Sequence, residues 1–478
     1  MARKKSGSKA ASGTPGPEPQ QLKAVNRAIE QGDYAGARRR LNTLRNRFPD
    51  FLPLYALACE TELEDGEGAA ATMIAWDWVA RAPKGVKALE HLAEAAAYAG
   101  YPALLEQAER KLAVLHGDTV EPPQDLASPF GPLSFRDWLT TDLSNLFMAN
   151  QRFDEAKAAV EAATHPIARH QLVQALFAQG DIDGAAAAAE QLVQTHPGFL
   201  SGIERAVRLR LYREGFAAAC PLADALRAAT PQTSMEACSQ VSGLLLIDDD
   251  AAAETAWLAA EHADFWESET EDDADPFDDA DADDEDAESD FDDDDDDFDD
   301  DEDFDEDDDL ADPGDVVRSQ YHCLGVYCAL AAGNPGNAEL RAQTALELDE
   351  VSLTAQALLD EIDAALVKGG TPDLAHIRYE LGVLSDWVPA AWLERLPETV
   401  DVDTPAGELP PMTGVHVDYL AQMVRRGGSE AALFGLFALR VRLMGGDAAA
   451  RSLLQELTTE SFLTDTAKGH IVDWLAAP

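Results

Sequence analysis

The sequence predicts an all-α solenoid of antiparallel helix pairs, because one residue pattern recurs along the chain at a spacing of 34. Residues that end helices recur at this spacing in two series, Pro49, Pro83 and Gly117, then Pro197, Pro231 and Phe265. Before each of these helix-ending residues, Ala and aliphatic residues occur at fixed distances from a turn that contains Gly or Asp. A period of this size indicates one helix–turn–helix unit per repeat, which buries its apolar face against its neighbours.

The first repeat, residues 22–49, shows the pattern most clearly. Its first helix carries small apolar residues, Gly32-Asp33-Tyr34 forms the turn, and the second helix ends before Pro49. Small side chains let the two helices approach closely, and glycine permits the tight reversal between them. About seven such repeats are predicted within 18–266, and a linker over 120–134 with four prolines interrupts them.

The remaining segments follow from composition and from the register of the repeat. Residues 1–17 are predicted to be a disordered basic tail rich in Gly, Ser and Pro, and residues 267–314 a disordered acidic insertion. Residues 315–367 resume with a further repeat and one following helix. Residues 368–478 are predicted to be a degenerate helical region whose last helix covers the end of the array.

The acidic insertion contains the strongest chemical signal in a chain of net charge −54. Between Glu267 and Asp312 there are 32 acidic residues and no Lys or Arg. Four aromatic residues interrupt the segment and offer it apolar footholds: Phe277, Phe291, Phe298 and Phe304. Four roles are open for the segment: it can bind a basic protein, mimic the charge of a nucleic acid, act as a solubilising spacer, or bind Ca²⁺ or Mg²⁺ weakly. The overall balance of charge disfavours direct binding of nucleic acid.

Cysteine usage and the N-terminal composition favour a cytoplasmic protein without membrane contact. The five cysteines form no CxxC motif and are predicted to be reduced core residues: Cys59, Cys220, Cys238, Cys323 and Cys328. The basic N-terminal tail lacks an apolar segment behind it, which argues against a signal peptide or anchor. No apolar run approaches membrane-spanning length.

No arrangement of residues in the sequence indicates catalysis, a cofactor or a metal. GxSxG, HExxH, P-loop and GxGxxG patterns are absent from the sequence, and its ten histidines are scattered. His165 and His170, and likewise His322 and Cys323, lack the spacing of metal ligands. We therefore expect a non-catalytic protein that needs no cofactor.

The repeat motif resembles the tetratricopeptide-repeat superfamily over residues 18–351, with a weaker likeness at 431–464. The resemblance implies a right-handed superhelix in which the first helix of each pair lines a concave groove for a peptide or partner helix. Chaperone-binding members hold a terminal carboxylate with Lys, Asn and Arg. At the matching positions only Asn26 agrees, and Glu90 and Glu94 would repel a carboxylate, so that function is not expected here.

Groove positions of repeats four to six present aromatic, amide and basic side chains, as a peptide-binding surface does. The candidate groove residues are Trp138, Thr141, Asn145, His170, Gln174, Phe177, Arg208 and Tyr212. The alternative is that their aromatic members pack between repeats. The sequence thus predicts a protein-interaction scaffold or chaperone-like adaptor. Two alternatives remain: a charge-mimic regulator whose acidic segment binds a basic protein, and a helical regulatory domain of a larger enzyme complex.

Overall fold

The computed structural model describes residues 16–266, 313–374, 377, 387–393 and 414–476. These residues form helices and no β-strand, apart from one isolated bridge between Leu126 and Leu133. The predicted all-α class of antiparallel helix pairs is therefore confirmed. The four phenylalanines of the acidic insertion, and nearly all of the insertion and of the N-terminal tail, lie outside the described residues.

The chain divides into two units, of which unit 1 comprises residues 1–196 and 388–395, and unit 2 comprises 197–387 and 396–478. The helices of unit 1 are α1 (Pro19–Ile29), α2 (Tyr34–Arg47), α3 (Pro53–Glu64), α4 (Gly68–Arg81), α5 (Val86–Tyr98), α6 (Pro102–His116), α7 (Phe135–Ala149), α8 (Phe153–Val160), α9 (Pro166–Gln179), α10 (Ile182–Thr195) and the short α18 (Ala390–Leu393). Consecutive helices from α1 to α10 pack as pairs, and α18 lies against α9.

The helices of unit 2 are α11 (Leu200–Glu214), α12 (Phe216–Ala228), α13 (Ser234–Leu246), α14 (Asp250–Ala260), α15 (Pro313–Ala331), α16 (Pro335–Leu348), α17 (Leu353–Val367), α19 (Val417–Arg426), α20 (Gly428–Met444), α21 (Ala448–Leu457) and α22 (Asp465–Ala476). Here too, successive helices pair, as α11 with α12, α15 with α16, and α19 with α20. In addition, α19 packs against α11, far from it in sequence.

A Gly-Asp turn joins the two helices of several pairs and shows how the sequence sets the reversal. Gly32 adopts a φ of +68°, and the carboxylate of Asp33 accepts the backbone N–H of Gly36 at 2.8 Å, which caps α2. The same device recurs in α10, where Asp181 accepts the N–H of Gly184 at 2.9 Å. A left-handed glycine followed by a capping aspartate ends one helix and starts the next within a few residues.

Small side chains occupy the interfaces within the pairs, as the repeat pattern predicts. Ala28 and Ala37 of the first pair, and Ala58 and Ala71 of the second, are buried in one hydrophobic cluster. Close backbone approach of this kind needs alanine, because a larger side chain would separate the helices.

The cysteines are free thiols, but their predicted burial is wrong for two of them. Cys59, Cys323 and Cys328 are buried, whereas Cys220 is exposed and Cys238 is half-buried. Burial raises the pKa of each of the three buried thiols to about 12, so these three are held as neutral core groups. Cys220 lies on the outward side of α12, where the repeat pattern does not require an apolar residue.

Candidate functional site

Three of the predicted groove residues lie on α7 in unit 1, and two of them remain accessible. Trp138 and Asn145 are half-buried, and the Trp138 ring meets Phe135 edge to face with 6.1 Å between centroids. Thr141 is buried, and its hydroxyl donates to the backbone carbonyl of Asp137 at 2.9 Å. The accessible part of α7 therefore offers one indole and one carboxamide.

Three further candidates lie on α9, which packs against α7. His170 and Gln174 are half-buried, and 2.9 Å separates Nε2 of the imidazole from Nε2 of the amide. The amide N–H donates in this pair, so Nε2 of the imidazole is the acceptor. Phe177 is 3% exposed and packs as a core residue. Trp138, Asn145, His170 and Gln174 thus form an accessible set on two adjacent first helices, which we call the α7–α9 surface.

The last two candidates, Arg208 and Tyr212, lie on α11 in unit 2, and both are buried. Nε of Arg208 donates to the carboxylate of Glu204 at 2.9 Å, and its guanidinium carbon lies 5.1 Å from the ring centroid of Trp387. An ion pair and an aromatic face together satisfy a cation that has lost most of its water.

Tyr212 is covered by α19 from the C-terminal part of the chain. The rings of Tyr212 and Tyr419 meet at 61° with centroids 4.9 Å apart, and the Tyr212 carbonyl accepts the N–H of His416 at 2.7 Å. Asp418 accepts the N–H of Phe216 at 2.9 Å, so α19 also caps the start of α12. Desolvation raises the pKa of both tyrosines well above the ordinary value, which keeps the two hydroxyls neutral.

The other end of α19 is held by a buried arginine. Arg426 is 2% exposed, and its Nη2 lies 2.8 Å from Oδ1 of Asp248 in the turn between α13 and α14. Gln422 donates to the second oxygen of the same carboxylate at 3.0 Å and accepts from Nε of Arg426 at 2.7 Å. This network joins α19 to the turn between α13 and α14.

One repeat spacing relates the polar pairs of α9 and α11. His170 and Gln174 stand one turn apart on α9. The residues 34 positions after them are Glu204 and Arg208, which stand one turn apart on α11. Both pairs are joined by a hydrogen bond or ion pair. The difference is that Trp387 covers Arg208 in unit 2, whereas His170 and Gln174 remain half-exposed in unit 1.

Sequence reasoning missed Trp387 and Tyr419, which cover the α11 positions. It also missed Arg426, which pairs with the turn between α13 and α14. A signal was present, since Tyr419, Leu420, Met423 and Val424 recur as one apolar face of a ten-residue helix that ends in two arginines. This pattern predicts that α19 has a buried face, but it does not identify the helix against which that face packs.

No group of three or more His, Cys, Asp or Glu side chains able to hold a metal ion occurs in the described parts of the chain. Among the helices that the structure describes, none is long and apolar enough to cross a membrane.

Comparison with known families gives one match. Residues 168–198, which span α9 and α10, match the family model described as tetratricopeptide repeat. Together with the helix pairs, this match confirms the tetratricopeptide-repeat resemblance inferred from the 34-residue period. No curated protein matches the chain in sequence.

Several solved structures are similar to this chain at low identity. A tetratricopeptide repeat protein from Parabacteroides merdae is 14% identical, with 51% of this chain and 91% of that chain covered and a TM-score of 0.24. Yeast Tom70 is 12% identical, with 96% and 94% covered and a TM-score of 0.28. Cut9–Hcn1 of the APC/C is 10% identical, with 72% and 55% covered and a TM-score of 0.31.

Proposed function

We propose that this protein is a non-catalytic interaction scaffold or adaptor whose α7–α9 surface binds a peptide or helix of a partner protein. The accessible residues of that surface are Trp138, Asn145, His170 and Gln174. They combine an aromatic ring, two carboxamides and an imidazole, which suits the side chains and backbone amides of a bound segment. Phe177 and Thr141 would support the surface from beneath. The free thiols fit a reducing cytoplasm.

The observation that carries this proposal is the seating of α19 on α11. The first helix of a repeat in unit 2 holds another helix of the same chain through an aromatic pair, Tyr212 with Tyr419. Beside this pair, Trp387 covers Arg208. The α9 positions one period earlier, His170 and Gln174, stay half-exposed. A face that binds a helix within the chain in one repeat can bind a helix from a partner in the preceding one.

Affinity capture with the immobilised full chain, followed by mass spectrometry and titration of the purified partner, tests the proposal. The double variant His170→Ala/Gln174→Ala should weaken the partner by about 1–3 kcal/mol, since central interface residues contribute on that scale. The control is Arg169→Ala/Gln191→Ala, which removes an exposed hydrogen-bonded pair of α9 and α10 (2.8 Å). Equal affinity for the wild type and the His170/Gln174 variant would contradict the proposal.

A second candidate function is charge mimicry by residues 267–312, because 32 of these residues are acidic. A basic protein held by this segment should dissociate as salt rises, since the Debye length falls from ~10 Å at 0.1 M to ~3 Å at 1 M. Binding at the α7–α9 surface should respond only modestly. Titrating the captured partner at both salt concentrations separates the two functions.

A further inference from the structure

A cavity of about 400 Å³ lies between α1 and α2, at the start of the repeat array in unit 1. Gln21 and Ala24 of α1 line it, together with Arg39, Arg40, Thr43 and Leu44 of α2. This volume falls in the range of small-ligand pockets and is ample for one side chain of a bound segment. None of the residues that line this cavity belongs to the α7–α9 surface.

The polar atoms of this cavity are hydrogen-bond donors. Oε1 of Gln21 already accepts the backbone N–H of Glu18 at 2.9 Å, which leaves the amide NH₂ to donate. The Thr43 hydroxyl gives its proton to the backbone carbonyl of Arg39 at 2.9 Å. The donors toward a ligand are therefore the two guanidinium groups and the Gln21 amide. A carboxylate, which only accepts hydrogen bonds, complements this set.

The two arginines differ in how far they are already engaged. Arg40 lies 3.8 Å from Asp33, in a pair whose side chains are both about half exposed. Arg39 is exposed and makes no ion pair or hydrogen bond through its side chain within the residues that the structure describes. An exposed pair of this kind contributes little, so Arg40 can exchange Asp33 for an incoming carboxylate at small cost.

The surroundings of the cavity are electropositive although the whole chain is acidic. Residues 19–47 contain seven Lys or Arg and two Asp or Glu, in a chain of net charge −54. One of the seven, Arg38, is paired with two carboxylates of the next helix pair, and the remaining balance is still positive. The apolar carbons of Ala24 and Leu44 line the same cavity and suit the methylene groups of a glutamate.

The repeat register shows why this face is open. One period further along, Gln21, Ala24 and Arg40 correspond to Tyr55, Ala58 and Ile74, all of which are buried. Arg45 of the preceding repeat covers Tyr55, with its guanidinium carbon 4.6 Å from the ring centroid. The first repeat thus presents polar, cationic residues at positions that are packed in the second repeat.

We propose that this α1–α2 cavity binds a glutamate or aspartate side chain from an acidic segment of a partner protein. Arg39 and Arg40 bind the carboxylate, and the Gln21 amide donates to its remaining lone pair. Arg39 is the principal residue, because no carboxylate of the described residues pairs with its guanidinium.

Fluorescence anisotropy with the full chain and a fluorescein-labelled hexaglutamate peptide, at about 0.15 M salt, tests this proposal. We expect saturable one-to-one binding that Arg39→Gln weakens about tenfold, as loss of a charge-assisted hydrogen bond does. Arg39→Gln/Arg40→Gln should remove measurable binding, and a labelled hexaglutamine peptide should not bind. The matched control is Arg136→Gln, an exposed arginine of α7, which should keep the wild-type affinity.

Four outcomes would overturn the proposal. Wild-type affinity in Arg39→Gln/Arg40→Gln would place the peptide elsewhere, and absence of any binding would leave the arginines as a solubilising end face of the array. Competition by inorganic phosphate as effective as that by unlabelled hexaglutamate would indicate a simple anion site. Self-association in sedimentation experiments that Arg39→Gln abolishes would assign the cavity to a second copy of this chain rather than to a partner.

Discussion

Tyr212 and Tyr419 meet edge to face, with ring centroids 4.9 Å apart, and join the first repeat of unit 2 to a helix near the end of the chain. The Tyr419 hydroxyl donates to the backbone carbonyl of Trp387 at 2.8 Å, so its one polar atom is satisfied in a fully buried position. The contact turns α19 into part of the core of unit 2. It also occupies the face on which sequence analysis places two groove residues, Arg208 and Tyr212.

Tyr419→Ala should destabilise unit 2 by about 3–5 kcal/mol, because it removes a buried ring and leaves a cavity beside Tyr212. The Trp387 carbonyl would also lose its donor. The urea midpoint followed by circular dichroism measures this loss. Tyr98→Ala, at a site where the side chain is 46% exposed, is the control and should cost far less. Similar losses in both variants would show that α19 is only loosely seated.

Arg426→Ala should destabilise unit 2 by about 3–5 kcal/mol, since it removes a buried cation and leaves the side chains of Asp248 and Gln422 without their partner. Asp248→Asn keeps the side-chain shape at a residue whose φ is +59°, a conformation that asparagine tolerates. A double-mutant cycle of the two substitutions should give a coupling energy of about 0.5–3 kcal/mol. Strict additivity would mean that the 2.8 Å ion pair adds nothing to the docking of α19.

The helix pairs could be predicted from the sequence because their causes are local. Gly32-Asp33 and Gly180-Asp181 form their turns from neighbouring residues, and the buried alanines repeat with the period. The covering of α11 could not be predicted in this way. Phe216 and Asp418, which meet in that contact, stand 202 residues apart.

The exposure of the candidate groove residues could not be predicted from the sequence either. His170 and Arg208 are both predicted groove residues, and the repeat pattern does not distinguish them. Arg208 is buried because Trp387 lies over it, a contact between residues that no periodicity links. The assignment of the α7–α9 surface as a binding site remains a prediction.

Gly180→Ala should destabilise unit 1 by about 1–3 kcal/mol for two reasons. The φ of Gly180 is +87°, which is unfavourable for a residue with a Cβ, and a Cβ there would lie 2.6 Å from Nε1 of Trp392. Gly336→Ala is the matched control, because it lies in the first turn of α16 with open space around it and should be neutral or stabilising. Thermal melting followed by circular dichroism compares the two. A Gly180→Ala protein that melts with the wild type would contradict the close approach of α18 to α9.

His322 should make unit 2 less stable as the pH falls from about 6.5 to 4. Burial, helped by Arg318 and Arg341, lowers the pKa of its imidazole to about 4 in the folded protein. The ring lies 5.9 Å from that of Trp257, and its Nδ1 has no hydrogen-bond partner within the described residues. Below pH 6.5, His322 is therefore protonated in the unfolded chain but stays neutral in the folded chain. The free energy of unfolding consequently decreases as the pH falls.

The size of this effect is at most about 3 kcal/mol, from a slope of ~1.4 kcal/mol per pH unit between the two pKa values. His322→Gln should flatten the dependence of the urea midpoint on pH between 6.5 and 4. His262→Gln, which replaces an exposed imidazole, should keep the wild-type slope. Asp142 in unit 1 acts in the opposite direction, because burial raises its pKa to about 6 and the folded chain binds that proton more tightly. The comparison of His322→Gln with the wild type cancels the Asp142 contribution, so an unchanged slope would show that His322 is hydrated in the folded protein.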